Sequence, residues 1–383
     1  MKVKVLLLFC FVFIRVFNYA QDTLIIAMYP GGISIGKPSL NDEFEGNRLN
    51  ASMWYGYYPW GGLSMDSKTY TDPLLCTQFG GRLTLNVDTV NQYRTFPEWM
   101  IPESYRSTEA YRKDERIAIS RLSSAVWSKE QFKYGYFECR CILPTGKGYW
   151  PAFWLYGGNP NEEIDIMEAK GERSTSYHVD VHCPNRCDRV LRFGIFDKPF
   201  GHWVKTNNSI NGHWVTFSGL WTPKGVLFFA NGKLMATHAA EFNTSMNLIA
   251  NFSLAMDKGP FSPGPDKKTT FPASFALDYI RAWQFNSPEQ LPPIKDLKEA
   301  LIVKAIPNGN NQVTFEFNGN GQTTYRIFIE KESTNDAAFL PVAELDLTVD
   351  EQTIDYTYWS SGTYYLRVLN ESSTEQLFFI KRD

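Results

Sequence analysis

The sequence predicts an all-β protein, with a β-jelly-roll sandwich followed by a small β-sandwich module. Short runs that alternate apolar and polar residues recur from residue 24 to about 286, separated by Gly, Pro, Asn and Asp. Long amphipathic helical patterns do not occur in this stretch. Aromatic residues, which favour strands, make up 15% of the 383 residues. Many short strands at regular spacing are typical of a large sandwich or jelly roll.

The first twenty residues have the pattern of a secretory signal peptide. Lys2 and Lys4 precede ten apolar residues, Val5 to Ile14, and Arg15 ends the run. Ala20 offers a small residue for cleavage, and the apolar run is too short for a transmembrane helix. We therefore expect residues 1–20 to be removed. The mature protein would be secreted to the extracellular space or the cell surface, or held in the periplasm.

The charge balance argues against several partners. Lys and Arg number 38, Asp and Glu 41, and the formal net charge is −3. Loss of the three basic residues in the signal segment makes the mature chain more acidic still. Without a basic excess, a nucleic-acid partner is not expected. No later apolar run is long enough to span a membrane, and we expect a monomer.

The first large unit is expected to span residues 21–286. Its strand patterns alternate apolar and polar residues at 82–87, 136–142, 213–217 and 275–281. The run from Val226 to Ala230, followed by Asn231-Gly232, predicts a strand that enters a hairpin turn.

Aromatic side chains cluster on one predicted strand of this unit. Alternation places Trp150, Trp154 and Tyr156 on the same face. A turn at residues 157–160 then leads directly into the next strand, so the two are expected to pair. Such a face suits either the floor of a ligand cleft or the interior of the sandwich.

Three carboxylates stand within the six residues that follow this turn, Glu163 to Glu168. Glu163 and Asp165 share a face of a strand, whereas Glu168 returns to it only if a β-bulge occurs at Ile166–Met167. Like charges this close raise the pKa of at least one of them. Such an arrangement separates a proton donor from a nucleophile, as glycoside hydrolysis requires. The alternative is a solvent-facing strand edge that happens to carry acids.

Histidines and cysteines follow on the next predicted strand. His178, Asp180 and His182 alternate there and would face the same cleft. Cys183 and Cys187 flank three residues, a loop that a disulfide would close. The alternative is a zinc site made by the two histidines and these two cysteines, although the His182–Cys183 junction is tight for usual ligand spacing.

A second unit follows a proline-rich linker at residues 287–299. Paired prolines in the linker disfavour strand pairing. Residues 300–383 then resume alternating patterns at 312–317 and 363–368, which predicts a small β-sandwich.

Several motifs together resemble glycoside hydrolase family 16. They comprise residues 134–138, the WPAFW run at 150–154 and the acid motif at 163–168, with flanks at 42–46 and 277–281. The resemblance covers roughly residues 40–285 and is specific to the bulged, laminarinase- and galactanase-type branch. It implies a concanavalin-like jelly roll and an endo-acting, retaining mechanism.

The resemblance also implies residue roles. Glu163 would be the nucleophile, Glu168 the general acid/base and Asp165 their electrostatic assistant. Substrate contacts would come from the aromatic strand and from Arg121 and His182, although Arg121 fits a surface ion pair equally well. No cofactor is implied for catalysis. A further set resembles a structural calcium site supplied with oxygen ligands, made by Glu43, Gly81 and Asp278.

These features favour a secreted hydrolase of a polysaccharide. The family branch puts β-1,3-glucan or mixed-linkage glucan first, with agarose, porphyran or carrageenan as alternatives for a galactanase. A non-catalytic lectin on the same fold would keep the aromatic groove, but it would not need the three acids. A zinc-dependent hydrolase is a further alternative. The loop at residues 47–62 is expected to shape one end of the groove. The C-terminal module resembles a type IX secretion sorting domain, with an accessory module, either a fibronectin-like spacer or a carbohydrate-binding module, as the alternative.

Overall fold

The computed structural model describes most of the predicted jelly roll. Described are residues 23–27, 33–36 and 38–285, apart from 59, 65–67, 102, 107–115, 159–161, 184–188, 193–195, 200, 232 and 242–243. Described beyond these are residues 288, 301–307, 312–318, 325–332, 339–347, 351–355, 358, 362–370 and 375–382. The predicted signal peptide lies outside the described residues, as does the predicted linker apart from Pro288.

Strands dominate the secondary structure, and the described helical turns are short. The α-helix α1 is Glu103–Arg106, and 3₁₀ turns span Pro73–Leu75 and Glu98–Met100. The strands in chain order are β1 (Thr23–Ala27), β2 (Ile33–Gly36), β3 (Leu40–Asp42), β4 (Trp54–Tyr55), β5 (Thr69–Thr71), β6 (Cys76–Gln78), β7 (Leu83–Arg94), β8 (Ile117–Phe132), β9 (Gly135–Ile142), β10 (Tyr149–Tyr156), β11 (Glu163–Ala169), β12 (Ser176–His182), β13 (Arg189–Arg192), β14 (Phe196–Pro199), β15 (His202–Lys205), β16 (Trp214–Thr222), β17 (Gly225–Ala230), β18 (Lys233–His238), β19 (Met246–Leu254), β20 (Ala273–Trp283), β21 (Leu301–Pro307), β22 (Gln312–Asn318), β23 (Tyr325–Glu332), β24 (Phe339–Leu347), β25 (Glu351–Asp355), β26 (Gly362–Asn370) and β27 (Glu375–Arg382).

Two layers of strands form the jelly roll, which confirms the predicted all-β class. One layer has the order β15-β12-β11-β10-β19-β8, and the other has the order β7-β20-β9-β16-β17-β18. Strands β7 and β8 are 12 and 16 residues long and pair with each other, so they join the layers along one edge. The predicted hairpin is confirmed, because β17 pairs antiparallel with β18 across Asn231.

The core lies between the two layers. Ile164, Ile166 and Met167 of β11 belong to the same buried cluster as Phe217 of β16. The layers approach closely at Gly219, where an added Cβ would lie 2.9 Å from Cγ1 of Ile166. The packing of β11 against β16 therefore determines which side chains of β11 are left for the opposite, open face.

The N-terminal strands pair away from the jelly roll. Strand β1 pairs antiparallel with β2 and with β21, in a sheet of order β2-β1-β21-β22-β25. This differs from the expected domain start at residue 21, because residues 23–36 join strands of the predicted C-terminal module. The reason is that β2 covers only one edge of β1, and the unpaired backbone groups of the other edge pair with β21, which is distant in sequence.

The C-terminal residues form strands where the alternation predicted them. Strand β22 covers the pattern at 312–317, and β26 covers that at 363–368. A second antiparallel sheet has the order β24-β23-β26-β27. Throughout the residues that the structure describes, no helix is long and apolar enough to cross a membrane.

Candidate active site

A β-bulge interrupts β11 between its second and third carboxylates. On one side, Trp154 is opposite Asp165 while the adjacent Phe153 is opposite Met167, so Ile166 is the extra residue. On the other side, Asp180 is opposite Asp165 and His178 is opposite Glu168. Both neighbouring strands therefore show the predicted bulge.

The bulge brings the three acids to one face of the strand. Ile166 and Met167 are adjacent in sequence and both buried in the core, at 1% and 0% exposure. Because two consecutive residues face inward there, Glu168 regains the face of Glu163 and Asp165. The three carboxylates line the open face of the layer, as the sequence predicted.

Burial controls the charge state of these carboxylates. Burial raises the pKa of Glu163 to about 7, and the charge of Glu168 also raises it, while the charge of His182 and a hydrogen bond with Asp165 lower it. Burial, followed by the charges of Glu163 and Glu168, raises the pKa of Asp165 well above its usual value. Burial thus favours the protonated form of both Glu163 and Asp165 compared with exposed carboxyl groups.

Glu168 is held by two side chains from the neighbouring strands. The indole nitrogen of Trp150 donates to Oε1 of Glu168 at 2.9 Å. Nδ1 of His178 lies 3.1 Å from Oε2 of the same carboxyl group. Each carboxyl oxygen therefore has its own partner, and the group has one orientation relative to β11.

Strand β12 turns its polar residues to the same face. Its burial alternates, with Tyr177, Val179 and Val181 inside and the residues between them partly exposed. Nε2 of His182 lies 3.6 Å from a carboxylate oxygen of Asp165 and 3.6 Å from one of Asp180. The structure therefore brings His182 to the acids, as expected.

Two acids and His182 could also offer atoms to a cation. One atom each from Glu163, Asp165 and His182 lie within 4.8 Å of one another. Here Glu163 is hydrogen-bonded to Asp165, and Nε2 of His182 lies 3.6 Å from Asp165, so the three groups already interact with one another.

An aromatic wall continues from the acids across β10. Trp154 and Tyr156 share the open face with the carboxylates and are partly exposed. Trp60, from the loop expected to shape the groove, contacts Trp154 at 6.4 Å, Tyr156 at 5.3 Å and Trp127 of β8 at 5.9 Å between ring centroids. Trp154 is oriented by donating its indole N–H to Asn251 at 2.7 Å. We call this group the aromatic wall.

Trp150 differs from the rest of the predicted aromatic face. The ring of Phe261 stacks on it, with centroids 4.5 Å apart and an interplanar angle of 9°. One face of Trp150 is therefore covered by protein, and its N–H is bound to Glu168. Trp150 also lines a cavity on this face, so its role in substrate binding stays a prediction, while its contacts in addition suit positioning of a carboxyl group.

Sequence reasoning missed Phe261 and Trp203. The two rings lie 5.5 Å apart, and both lie beside His178, at 5.7 and 5.4 Å between centroids. Phe261 has φ +58°, a conformation that bulky residues rarely adopt and that is often found at functional sites. The available signal was a large aromatic residue within the turn-forming segment 259–264.

A cavity of about 120 Å³ opens beside Trp150 on the same face. Small hydroxyl side chains contribute to its lining, among them Thr69, Ser123 and Ser253. Arg121 lies on β8 two positions before Ser123, opposite Thr69 in register. Arg121 is thus next in register to Thr69, a residue that lines this cavity, and its predicted contact with substrate stays a prediction.

The residues that resemble a calcium set do not fit one here. Oε1 of Glu43 accepts a hydrogen bond from Arg281 at 2.8 Å, and Asp278 forms an ion pair with Arg140. Gly81 lies near Glu45, because an added Cβ would be 3.4 Å from Oε1 of that residue. Since guanidinium groups already neutralise both predicted ligands, the calcium expectation does not match these contacts.

The zinc alternative is also not supported. Cys183 is disulfide-bonded, so its sulfur is not a thiolate ligand. His178 is bound to Glu168 instead. Cys187 lies outside the described residues. Cys76, Cys139 and Cys141 are free thiols, and the last two are buried in the core.

Comparison with known families identifies the central part of the chain. Residues 80–260 match the family model of Glycosyl hydrolases family 16. This segment contains the bulged strand and its neighbours β10 and β12, and it ends directly before Phe261. This match covers a little under half of the 383 residues, so the jelly roll is similar to the domain of that family. The sorting-domain resemblance of the C-terminal module has no support from these comparisons.

The chain is also similar in sequence to individual proteins of known name. The chain is 25% identical over 296 residues to "Glucan endo-1,3-beta-glucosidase A1" of Niallia circulans, covering 66% of this chain and 40% of that protein. It is 24% identical over 272 residues to "Glucan endo-1,3-beta-glucosidase" of Cryptopygus antarcticus, covering 64% and 91%. The chain thus spans less than half of the first relative.

A solved structure shows the same fold. The endo-beta-1,3-glucanase of Pyrococcus furiosus superposes with a TM-score of 0.52 at 22% identity, covering 68% of this chain and 98% of that one. At this identity the likeness establishes the jelly-roll architecture.

Proposed function

We propose that this jelly roll is a family 16 domain and an endo-acting, retaining glycoside hydrolase that cleaves internal β-glycosidic bonds of a polysaccharide. The observation that carries the proposal is the bulge in β11, which brings Glu163, Asp165 and Glu168 to one open face beside an aromatic wall. Two carboxyl groups flanking a scissile bond are the requirement of this chemistry. A lectin on the same fold would have no need for buried carboxyl groups with raised pKa values.

In the first step, the carboxylate of Glu163 attacks the anomeric carbon. The bond from that carbon to the leaving oxygen breaks, and Glu168 transfers its proton to that oxygen. A covalent glycosyl-enzyme results, and the leaving chain departs as an alcohol.

In the second step, Glu168 accepts a proton from water as the water oxygen attacks the same carbon. Glu163 leaves as a carboxylate, and the product keeps the β configuration. Asp165 lies hydrogen-bonded to Glu163 and limits where that group can move. Two carboxyl groups and water suffice for both steps, so no cofactor is part of the proposal.

For the substrate, we propose β-1,3-glucan or mixed-linkage glucan. The relatives from Niallia circulans and Cryptopygus antarcticus support this choice, because both are named as glucan endo-1,3-beta-glucosidases. The open face supports sugar binding in general, because its aromatic wall offers large flat apolar surfaces beside polar groups. A galactanase acting on agarose, porphyran or carrageenan is the alternative.

We further propose that the protein is secreted, on the basis of its N-terminal charge and apolar pattern, and that it is a monomer. A structural calcium at Glu43, Gly81 and Asp278 would have to displace two arginines, so we leave it out of the proposal.

A panel of purified polysaccharides tests the activity and the substrate together. Laminarin, lichenan, agarose, porphyran and carrageenan are each assayed for new reducing ends and for product size, with a Glu163→Gln/Glu168→Gln variant as the control. We expect oligosaccharides from laminarin or lichenan only. Release from agarose or porphyran alone would overturn the substrate choice, and no release from any polysaccharide would overturn the hydrolase. The first product from an active substrate, followed by proton NMR before mutarotation, should be the β-anomer.

A further inference from the structure

Trp99 is a large aromatic residue exposed outside the catalytic groove. Its side chain is 64% exposed, on the 3₁₀ turn Glu98–Met100 in the segment that joins β7 to β8. Tryptophan is highly buried on average in folded proteins, and exposed apolar surface of this kind marks interaction sites.

The exposure of Trp99 does not come from a loose segment. The neighbouring residues Phe96 and Ile101 are buried, and they form a second apolar cluster with Ile117 and Ile119 of β8. Backbone hydrogen bonds of 3.0 Å close the turn on both sides of Trp99. The indole is therefore presented by a rigid base.

The position of Trp99 is continuous with the aromatic wall. An added Cβ at Gly61 would lie 3.0 Å from Cζ3 of Trp99 and would overlap the side chain of Met100. Gly61 has φ +100° and directly follows Trp60, which is 40% exposed and contacts Trp154. The absence of a side chain at Gly61 lets the two segments meet, so tryptophans 154, 60 and 99 follow one another outward from the acids.

We propose that Trp99 is a sugar-binding position outside the catalytic groove, stacking on a distant residue of the same polysaccharide chain that the acids cleave. The inference rests on the proposed function. A pyranose ring presents an apolar C–H face that suits a rigid indole, whose amphipathic character favours half-wet interfaces.

The surrounding charges favour an uncharged glycan. Among the described residues, Arg106 pairs with Glu98 at 3.0 Å and with Glu103 at 2.6 Å. Within the described residues 98–106, two carboxylates thus face one guanidinium, a local excess of negative charge that disfavours a sulfated chain. The ligand is therefore a neutral polysaccharide, long enough to reach from the acids to Trp99.

Chain-length dependence tests this inference. The variant is Trp99→Ala, and its matched control is Tyr93→Ala, because Tyr93 is 63% exposed on the same extension but lies beside Arg116. We compare kcat/KM on laminarin with kcat/KM on short oligosaccharides of the same linkage. Trp99→Ala should lower the value roughly three- to tenfold on the polymer, the range of one aromatic stacking contact, and leave short substrates unchanged. Trp99→Phe should recover part of the loss.

A binding measurement separates this inference from the proposed function. Affinity electrophoresis in gels containing each polysaccharide is run in the Glu163→Gln background, with and without Trp99→Ala. Equal retardation of both proteins, together with equal kcat/KM for Trp99→Ala and Tyr93→Ala on polymer, would overturn the inference and leave the hydrolase standing. Equal loss on short and long substrates would also overturn it.

Two further outcomes are decisive. If the wild type hydrolyses no polysaccharide, the proposed function fails, and the difference in gel retardation alone decides the inference. If Trp99→Ala converts a dimer to a monomer in size-exclusion chromatography without changing retardation, Trp99 contacts a second copy and the inference is overturned.

Discussion

The indole N–H of Trp150 donates a 2.9 Å hydrogen bond to Oε1 of Glu168, while the ring of Phe261 covers Trp150 at 4.5 Å. The hydrogen bond holds the edge of the tryptophan ring, and the stacked phenyl ring holds its face. Phe261 is itself held near Lys170, which donates to the carbonyl of Ser262 at 2.7 Å. A chain of contacts thus runs from a surface loop to the carboxyl group proposed as the acid.

Replacing either proposed catalytic carboxyl group should abolish turnover. Glu163→Gln cannot attack and Glu168→Gln cannot donate a proton, so each should lower kcat by at least about 10²- to 10⁴-fold. Thermal unfolding should show that both variants fold. With an activated leaving group, Glu168→Gln plus azide should regain part of its rate, because that leaving group needs no acid. Near-normal kcat for Glu163→Gln would reject the nucleophile assignment.

Removing the N–H of Trp150 should slow catalysis more than it weakens binding. Trp150→Phe keeps a ring for Phe261 to stack on, but loses the hydrogen bond to Glu168. A hydrogen bond to a charged group contributes about 1.5–3 kcal/mol, so kcat should fall roughly 10- to 100-fold. Trp154→Phe is the control, since its N–H binds Asn251 instead, and its main effect should be on KM. Equal effects of the two variants on kcat would contradict the positioning role.

The acid side of the pH profile should follow Glu163. Burial raises the pKa of Glu163 to about 7, and the nucleophile must be ionised, so kcat/KM should fall as the pH drops below about 7. His182→Gln removes a charge that lowers this pKa and should move the acid limb to higher pH. Asp180→Asn removes a charge that raises it and should move the limb to lower pH. Shifts of the same sign, or none, in stopped assays across pH 4–9 would show that another group controls the limb.

Because of Asp165, the free energy of unfolding should decrease as the pH rises. Burial raises its pKa well above the usual value, so the native state binds this proton more tightly than the unfolded chain does. Stability is then greatest below the unfolded pKa and is lost as the pH rises toward the folded pKa. Asp165→Asn is neutral throughout, so its Tm advantage over wild type should grow between pH 5 and pH 8, although its activity falls. A constant Tm difference across this range would argue against a raised pKa.

The close approach of the two layers should make Gly219 sensitive to substitution. A methyl group in Gly219→Ala would lie 2.9 Å from Ile166, the extra residue of the bulge. Overpacking of this kind costs about 1–3 kcal/mol of unfolding free energy, and displacement of Ile166 should also lower kcat. Gly56→Ala is the control, because its nearest neighbour would be 3.5 Å away. Adding Ile166→Val, which removes Cδ1, should restore part of the stability in denaturant titrations.

Local sequence determined the parts of this protein that depend on strand alternation. The period of two assigns faces along a strand without reference to any other segment. It placed Trp154 and Tyr156 on one face of their strand and His182 on the face that carries Asp180, and it showed that Glu168 joins Glu163 and Asp165 only if a bulge occurs at Ile166–Met167. The same patterns predicted strands such as β22 and β26 in the C-terminal module. No local pattern predicted that β1, near the N-terminus, pairs with β21 of that module.

Only the tertiary structure decided which of these side chains meet residues distant in the sequence. Phe261 reaches Trp150 from a loop more than a hundred residues later, and this contact separates Trp150 from the aromatic wall that includes Trp154. Likewise, Glu43 and Asp278 match a calcium pattern in the sequence, yet arginines brought in by β20 and β9 bind both carboxylates. The face on which a strand residue lies follows from the local backbone geometry. Contacts across the sandwich depend instead on how the two layers pack, because the interior is close-packed and each side chain there is limited by residues from distant segments.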